Sequence, residues 1–211
     1  MPDQDQLVQR LLQHAGTTYA REAGIRLRNK PMPLFQLLVL CMLASKPIGA
    51  AIAAGAAREL FKTGLRTPSA VLAAERHTII GAFDRAHYVR YDESSATRLA
   101  DIAKATHERY RGDLRVLADR SGHAVPEAVR LLTGFAGIGD TGAHIYLREI
   151  QDVWVWVRPA FDDRALAAAR ELGLPADARR LGALSPGSNA ALAAALTRFS
   201  LDPAIRARLT T

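Results

Sequence analysis

The sequence predicts an all-α protein, and three observations lead there. Apolar residues recur at helical spacing through most of the 211 residues, alternation of period 2 is nearly absent, and alanine, leucine and arginine, all good helix formers, dominate. Hydrophobic residues at 49% and charged residues at 23% describe a globular chain, long enough for one sizeable domain or two lobes.

The elements follow in order. Helical patterns cover residues 6–14 and 17–24, then 34–45, where an apolar run containing the single Cys41 makes a core helix that stops at Lys46-Pro47. Residues 49–63 continue the pattern, and Thr67-Pro68-Ser69 places a proline in the first turn of a helix over 68–74. Further helices are expected over 77–86, 93–110, 112–120, 125–134, 142–151, 163–173 and 176–184. Ser185-Pro186-Gly187-Ser188 separates the last of these from 188–201, and Asp202-Pro203 opens a final short turn. Val153-Trp154-Val155-Trp156-Val157 is the one strand-like alternation; Arg158-Pro159 ends it, and it reads as a connector anchored by aromatic side chains. The expected division is a helical bundle over 33–150 and a second helical lobe made of 1–32 with 151–211, with Trp154 and Trp156 in the core between the lobes.

The net charge of +7 points to a polyanionic partner, nucleic acid before an anionic membrane surface. Only Lys30, Lys46, Lys62 and Lys104 are lysines, so few amines are available for Schiff-base chemistry. One cysteine excludes internal disulfides, cysteine-ligated zinc and iron–sulfur clusters. The six histidines show no metal-ligand spacing; His144 and Glu149 share a predicted helix without a third ligand. The apolar run at 34–43 is too short to span a bilayer, and no basic stretch followed by an apolar one begins the chain, so the expected location is cytoplasmic, at the nucleoid.

The most informative stretch is Leu131-Leu132-Thr133-Gly134-Phe135-Ala136-Gly137-Ile138-Gly139-Asp140-Thr141-Gly142-Ala143. A helical run stops at a Gly-Ile-Gly turn and a second helix starts directly after it. Glycine permits a positive φ and close approach of another molecule to the main chain, while the amides of the next helix N-terminus face outward as an anion site. Helix, Gly-x-Gly turn, helix is a recurrent grip on one DNA phosphate, which positions a duplex without reading its sequence. An ordinary glycine-closed turn between helices has the same local pattern. About 25 residues further on, Arg158-Pro159-Ala160-Phe161-Asp162-Asp163-Arg164 delivers two carboxylates to a turn-to-helix junction. There a carboxylate can cap the first turn and is favoured by the helix dipole.

The combination resembles the endonuclease III-like, helix-hairpin-helix DNA glycosylases. Their pattern is a Leu-Pro-Gly-Val-Gly-x-Lys-Thr-Ala hairpin followed by a Val-Asp-Thr-His-type segment; Phe135–Ala143 matches the first and Phe161-Asp162-Asp163-Arg164 falls on the second. Pro33–Ser45 resembles the family's first core helix and Arg66-Thr67-Pro68-Ser69-Ala70 its Thr-Pro segment, so the likeness covers roughly residues 30–175. It implies a two-lobed helical fold, double-stranded DNA as partner, a monomer, and excision of a damaged or mismatched base. Gly137, Ile138, Gly139, Thr141, Gly142, Lys46 and Arg164 are the implied DNA contacts. Asp162 is the implied catalytic carboxylate, with Asp163 in reserve should the helix start one residue later.

The departures are equally specific. Members that also cut the backbone use a hairpin lysine as nucleophile, and Thr141 stands at that position. The four-cysteine cluster of many members is excluded by Cys41 alone, so the expected activity is base hydrolysis without strand cleavage, with no cofactor beyond room for a structural monovalent cation at the hairpin. Asp140 sets a carboxylate beside the phosphate site and weakens the grip. Lys46 reads as a solvated helix-end cation, a gap filler for a flipped base, a phosphate contact, or a substitute nucleophile. Tyr88 and Tyr91, with His87, read either as a base pocket that stacks on the flipped base or as packing aromatics. The main alternative function is a DNA-binding protein that grips the backbone through the hairpin without catalysis; a helical regulator with an incidental turn is a third.

Overall fold

A computed structural model describes residues 4–210, and every described element is helical. In chain order they are α1 (Gln4–Ala15), α2 (Tyr19–Glu22), α3 (Pro31–Ala44), α4 (Ala50–Lys62), α5 (Pro68–Leu72), α6 (Arg76–Arg85), α7 (Asp92–Tyr110), α8 (Arg115–Arg120), α9 (Val125–Thr133), α10 (Asp140–Ile150), a 3₁₀ turn (Val155–Val157), α11 (Asp163–Glu171), α12 (Ala178–Ala183), α13 (Asn189–Leu201) and α14 (Pro203–Thr210). No helix among the described residues is long and apolar enough to cross a membrane.

The chain divides into two compact units. The larger is Ala20–Tyr146; the other joins Met1–Tyr19 to Leu147–Thr211. Residues 20–32 therefore belong with the bundle, and the far limit falls inside α10 rather than at its end.

In the larger unit α3 is the central element. Its residues from Pro33 through Leu43 are all buried, as expected of a helix that is apolar on every face. It packs against α4 and α7, while α6 joins α4 to α7 and α5 lies on α7. Small residues let α4 approach closely: Ala53, Ala54, Ala56 and Ala57 are fully buried. Thr67 caps α5 by accepting from the Ala70 amide at 3.2 Å, with Pro68 in the first turn, as the sequence suggested.

The smaller unit is built on α13, which packs against α1, α11 and α14. Leu7, Val8 and Leu11 of α1, Ala165, Ala168 and Ala169 of α11, and Leu192, Leu196 and Phe199 of α13 form its core. Ser188 caps α13 through the Ala191 amide at 3.0 Å, and Asp177 caps α12 through the Arg180 amide at 2.9 Å.

Three expectations change. Residues 112–120 are not one helix: Arg111 and Gly112 take left-handed φ of 55° and 77°, which ends α7, and the Asp113 carboxylate then accepts the Arg115 amide at 2.9 Å to start α8 there. The pattern at 17–24 shrinks to one turn, closed by Gly24 at φ 77°. The short turn after Asp202 is instead an eight-residue helix, with Asp202 accepting the Ala204 amide at 2.9 Å and Leu209 buried on the core.

Candidate functional site

The hairpin lies wholly in the larger unit. α9 ends at Thr133, Phe135 and Ile138 turn inward and are buried, and the Ile138 amide donates to the Phe135 carbonyl at 3.1 Å. Gly137 is the left-handed residue, at φ 80°. A Cβ there would stand 2.8 Å from Arg98 Cδ and 3.3 Å from Met42 Cγ, so the backbone conformation calls for glycine and a side chain would also displace Arg98. Gly139 differs: its φ is not positive, and a Cβ on it would meet nothing within 4 Å. Its freedom is room for an approaching group, not a strained backbone.

The Gly139 carbonyl accepts the Ala143 amide at 2.9 Å, making Gly139 the residue that opens α10. Among the described residues the amides of Gly139, Asp140, Thr141 and Gly142 have no intramolecular acceptor, which is the ordinary state of a helix N-terminus. Gly139, Asp140 and Thr141 are exposed, whereas Gly142 is buried, because its Cβ position is 2.5 Å from the Ser45 hydroxyl at the end of α3. Two of the expected contacts are thereby confined to the main chain. Ile138 offers no side chain to a ligand because it anchors the turn in the core, and Gly142 serves close packing on Ser45. Asp140, in the first turn of α10, favours the helix dipole and opposes an incoming anion.

Beside the hairpin, Lys46 follows Ser45 and is half-buried, with its ammonium 5.4 Å from the Tyr91 ring centroid. Arg90 stands over the same ring at 5.3 Å. Tyr91 thus carries two cations, and it tilts against Tyr88 at 6.5 Å between ring centres. Tyr88 itself is not a pocket residue. It is fully buried, packs on Phe83 at 5.1 Å, and its hydroxyl meets Ser95 at 3.2 Å and the Leu43 carbonyl at 3.4 Å. Burial pushes its phenol above the ordinary value despite the Ser95 hydrogen bond. His87 is exposed, at a left-handed φ of 55°.

The Asp turn lies in the smaller unit. Asp162 caps α11: one carboxylate oxygen accepts the Ala165 amide at 2.9 Å, and the other accepts from Arg148 at 2.7 Å. Asp162 keeps 23% of its side-chain surface while Arg148 keeps 5%. Arg148 also donates to the Thr197 hydroxyl at 3.2 Å and stands 5.6 Å from the Tyr19 ring centroid. Gln151 holds the turn in place. Its amide oxygen accepts the Ala160 N–H at 2.8 Å, and its nitrogen donates to the carbonyls of Ala160 at 2.9 Å and Arg148 at 3.0 Å. Arg158 pairs with Asp152 at 2.5 Å, and the Arg158–Pro159 peptide is cis. Asp163 and Arg164 are exposed in the first turn of α11.

Arg148 and Gln151 are the residues the sequence did not single out. In the chain they look like solvated polar residues at the end of a helix; their one signal is the three-residue spacing that sets them on one side of it. Trp154 is buried and stacks on Trp156 with centroids 5.5 Å apart, within the 153–157 connector.

No group of three His, Cys, Asp or Glu side chains among the described residues is placed to hold a metal ion. A monovalent cation at the hairpin would rest on main-chain carbonyls, and those of Leu132, Phe135 and Gly139 already accept amides there. Comparison of the chain with protein-family models, with curated proteins and with solved structures gives no match.

Proposed function

We propose that the protein is a DNA glycosylase of the helix-hairpin-helix type, which binds duplex DNA through the turn at 137–141 and hydrolyses the bond between a base and its sugar without cutting the strand. The observation that carries this reading is the hairpin: a left-handed Gly137 fixed by Arg98 and Met42, an open Gly139, and a row of unclaimed amides at the start of α10. These amides donate to a backbone phosphate. Lys46, Arg90 and Tyr91 add charge and a stacking face beside it. Arg164 is a further cation for the backbone.

The chemistry falls to Asp162. A base must leave the stack to be reached, and positive charge grows on the sugar as the N-glycosidic bond lengthens. A carboxylate fixed by the Ala165 amide and Arg148 opposes that charge with no reorganisation, orients the attacking water and takes up its proton as oxygen bonds to C1′ and the base departs with the bonding electrons. Arg148 acts as a positioning residue. Thr141 stands where the resemblance would place the amine, so no imine is expected from the hairpin.

A second reading has its own observation. Both oxygens of Asp162 are engaged, and the Arg148 charge 2.7 Å away offsets the carboxylate. On that basis the protein would be a backbone-binding module in which Asp162 only caps and pairs. Duplexes carrying uracil, an oxidised pyrimidine, a mismatch or an alkylated base separate the two. The glycosylase leaves at least one duplex intact until alkali breaks it, and borohydride traps no covalent complex. Binding without alkali-labile sites on any duplex supports the module instead.

A further inference from the structure

At the N-terminal end of α3, opposite to the end that meets the hairpin, the larger unit has a cavity of about 300 Å³. Its lining includes four cations, Arg26, Arg58, Lys62 and Arg66, and no carboxylate. Main-chain carbonyls hold two of them: Arg58 donates to Glu22 O at 2.7 Å, and Arg66 donates through Nε to Phe61 O at 2.7 Å. A carbonyl orients a guanidinium without neutralising it. Lys62 is the exception, paired with Glu59 at 2.7 Å. Among the described residues no carboxylate reaches Arg26, Arg58 or Arg66.

The floor carries a second, independent sign of a ligand. Gln36 lines the cavity, is only 7% exposed, and its side-chain amide has no hydrogen-bond partner among the described residues. Its amide atoms are open to the cavity, so a group that enters can meet them with hydrogen bonds that no protein group supplies. Helical side chains lean toward the N-terminus of their helix, so Gln36 points back toward the first turn of α3. That turn has Pro31 and Pro33, which lack N–H groups, and a Met32 amide with no internal acceptor, together with the positive end of the α3 dipole.

We propose that this cavity binds a phosphorylated small molecule whose terminal phosphate reaches Gln36 and the Met32 amide, with its remaining charge met by Arg26, Arg58 and Arg66. A concave site with a donor at its floor suits a terminal phosphate. A phosphodiester within a duplex backbone has no free end to insert. The proposal is independent of the hairpin, which packs on Ser45 and Met42 at the other end of the helix.

Inorganic tripolyphosphate is the probe, titrated calorimetrically into the full chain at fixed ionic strength, with sulfate as a control. The expected result is saturable binding of one equivalent, weakened roughly tenfold or more in Gln36→Leu and in Arg58→Gln/Arg66→Gln, since each removes a charge-assisted or buried hydrogen bond. Gly139→Val, a hairpin variant, binds tripolyphosphate like the wild type. Melting temperatures of all variants accompany the titrations, and the arginine pair, being exposed, keeps the test open if Gln36→Leu fails to fold. Absence of saturable binding, or equal affinity in the arginine variant, overturns the proposal. So does a short duplex that competes for the site and loses affinity in the same variants, which would assign the cations to a nucleic-acid backbone.

Discussion

Asp162 holds two structural partners with one carboxylate. Its two oxygens are divided between the α11 cap and Arg148, so Asp162→Asn keeps most of the cap but weakens the ion pair. Loss of a hydrogen bond to a buried charged group costs roughly 1.5–3 kcal/mol, so the melting temperature falls even though asparagine caps well. Arg148→Met, which removes the buried cation with a side chain of similar length, exposes the opposite balance. It should be more destabilising than Asp162→Asn, because it also removes the cation beside Glu149, whose fully buried carboxylate stands 4.0 Å from Arg148 Nε, whereas asparagine still offers Arg148 an acceptor. Chemical denaturation of the two variants checks the order, and an Arg148→Met protein more stable than Asp162→Asn contradicts the pairing as described. The cap at Asp162 was readable from Pro159 and the helical pattern after it. The ion pair was not, since nothing in the chain distinguishes Arg148 from the other exposed-looking arginines until α13 supplies Thr197.

Among the elements, the two hairpin glycines have different tasks and should respond differently to substitution. Gly137→Ala forces a Cβ into left-handed backbone and onto Arg98, costing about 1–2 kcal/mol for the conformation alone. A Cβ at Gly139 meets no neighbour within 4 Å, so Gly139→Val should lower the melting temperature only by the poorer helix start that valine gives, while weakening duplex binding for every sequence alike. Thermal melts beside binding curves test this, and a Gly139→Val protein that binds DNA as tightly as wild type would remove the hairpin from the interface. The Gly-x-Gly pattern located the turn from sequence because glycine has few other uses between two helices. Which glycine was strained was not legible, since that depends on where Arg98 and Met42 arrive from α7 and α3. Which of its two readings Tyr88 follows was not legible for the same reason. An aromatic before a helix looks free to stack until Phe83, Leu43 and Ser95 close over it.

For the whole molecule, charge and burial make two predictions. A net charge of +7 and a few phosphate contacts predict that log K for duplex binding falls with log salt at a slope of about −0.9 per contact. A slope near zero would contradict a backbone grip of any kind. Alkaline stability is the second. Burial raises the phenols of Tyr88, Tyr110 and Tyr146, the last strongly, with Arg120, Arg109 and Arg130 pulling Tyr110 back only in part. A raised acid pKa in the folded state means that the neutral form is favoured by folding. The stabilisation is complete below the unfolded value of about 10 and is lost as pH rises beyond it. Phenolate absorbance from these residues should therefore appear together with loss of the helical circular dichroism signal; full reversible ionisation before any unfolding would contradict their burial. The all-helical class was legible from periodicity alone. Details such as the eight-residue α14 and the break at Arg111-Gly112 were hidden because a two-sided polar helix and a left-handed arginine leave no periodic trace.

The central claim is that Asp162 drives hydrolysis of a base–sugar bond on DNA gripped by the hairpin, and single-turnover excision at saturating enzyme tests it most directly. On a duplex that the wild type processes, Asp162→Asn should bind at least as tightly, because a negative charge has left the protein, yet excise about 10²–10³-fold more slowly. Asp163→Asn should excise near the wild-type rate. An Asp162→Asn protein that remains folded and excises as fast as wild type would contradict the account.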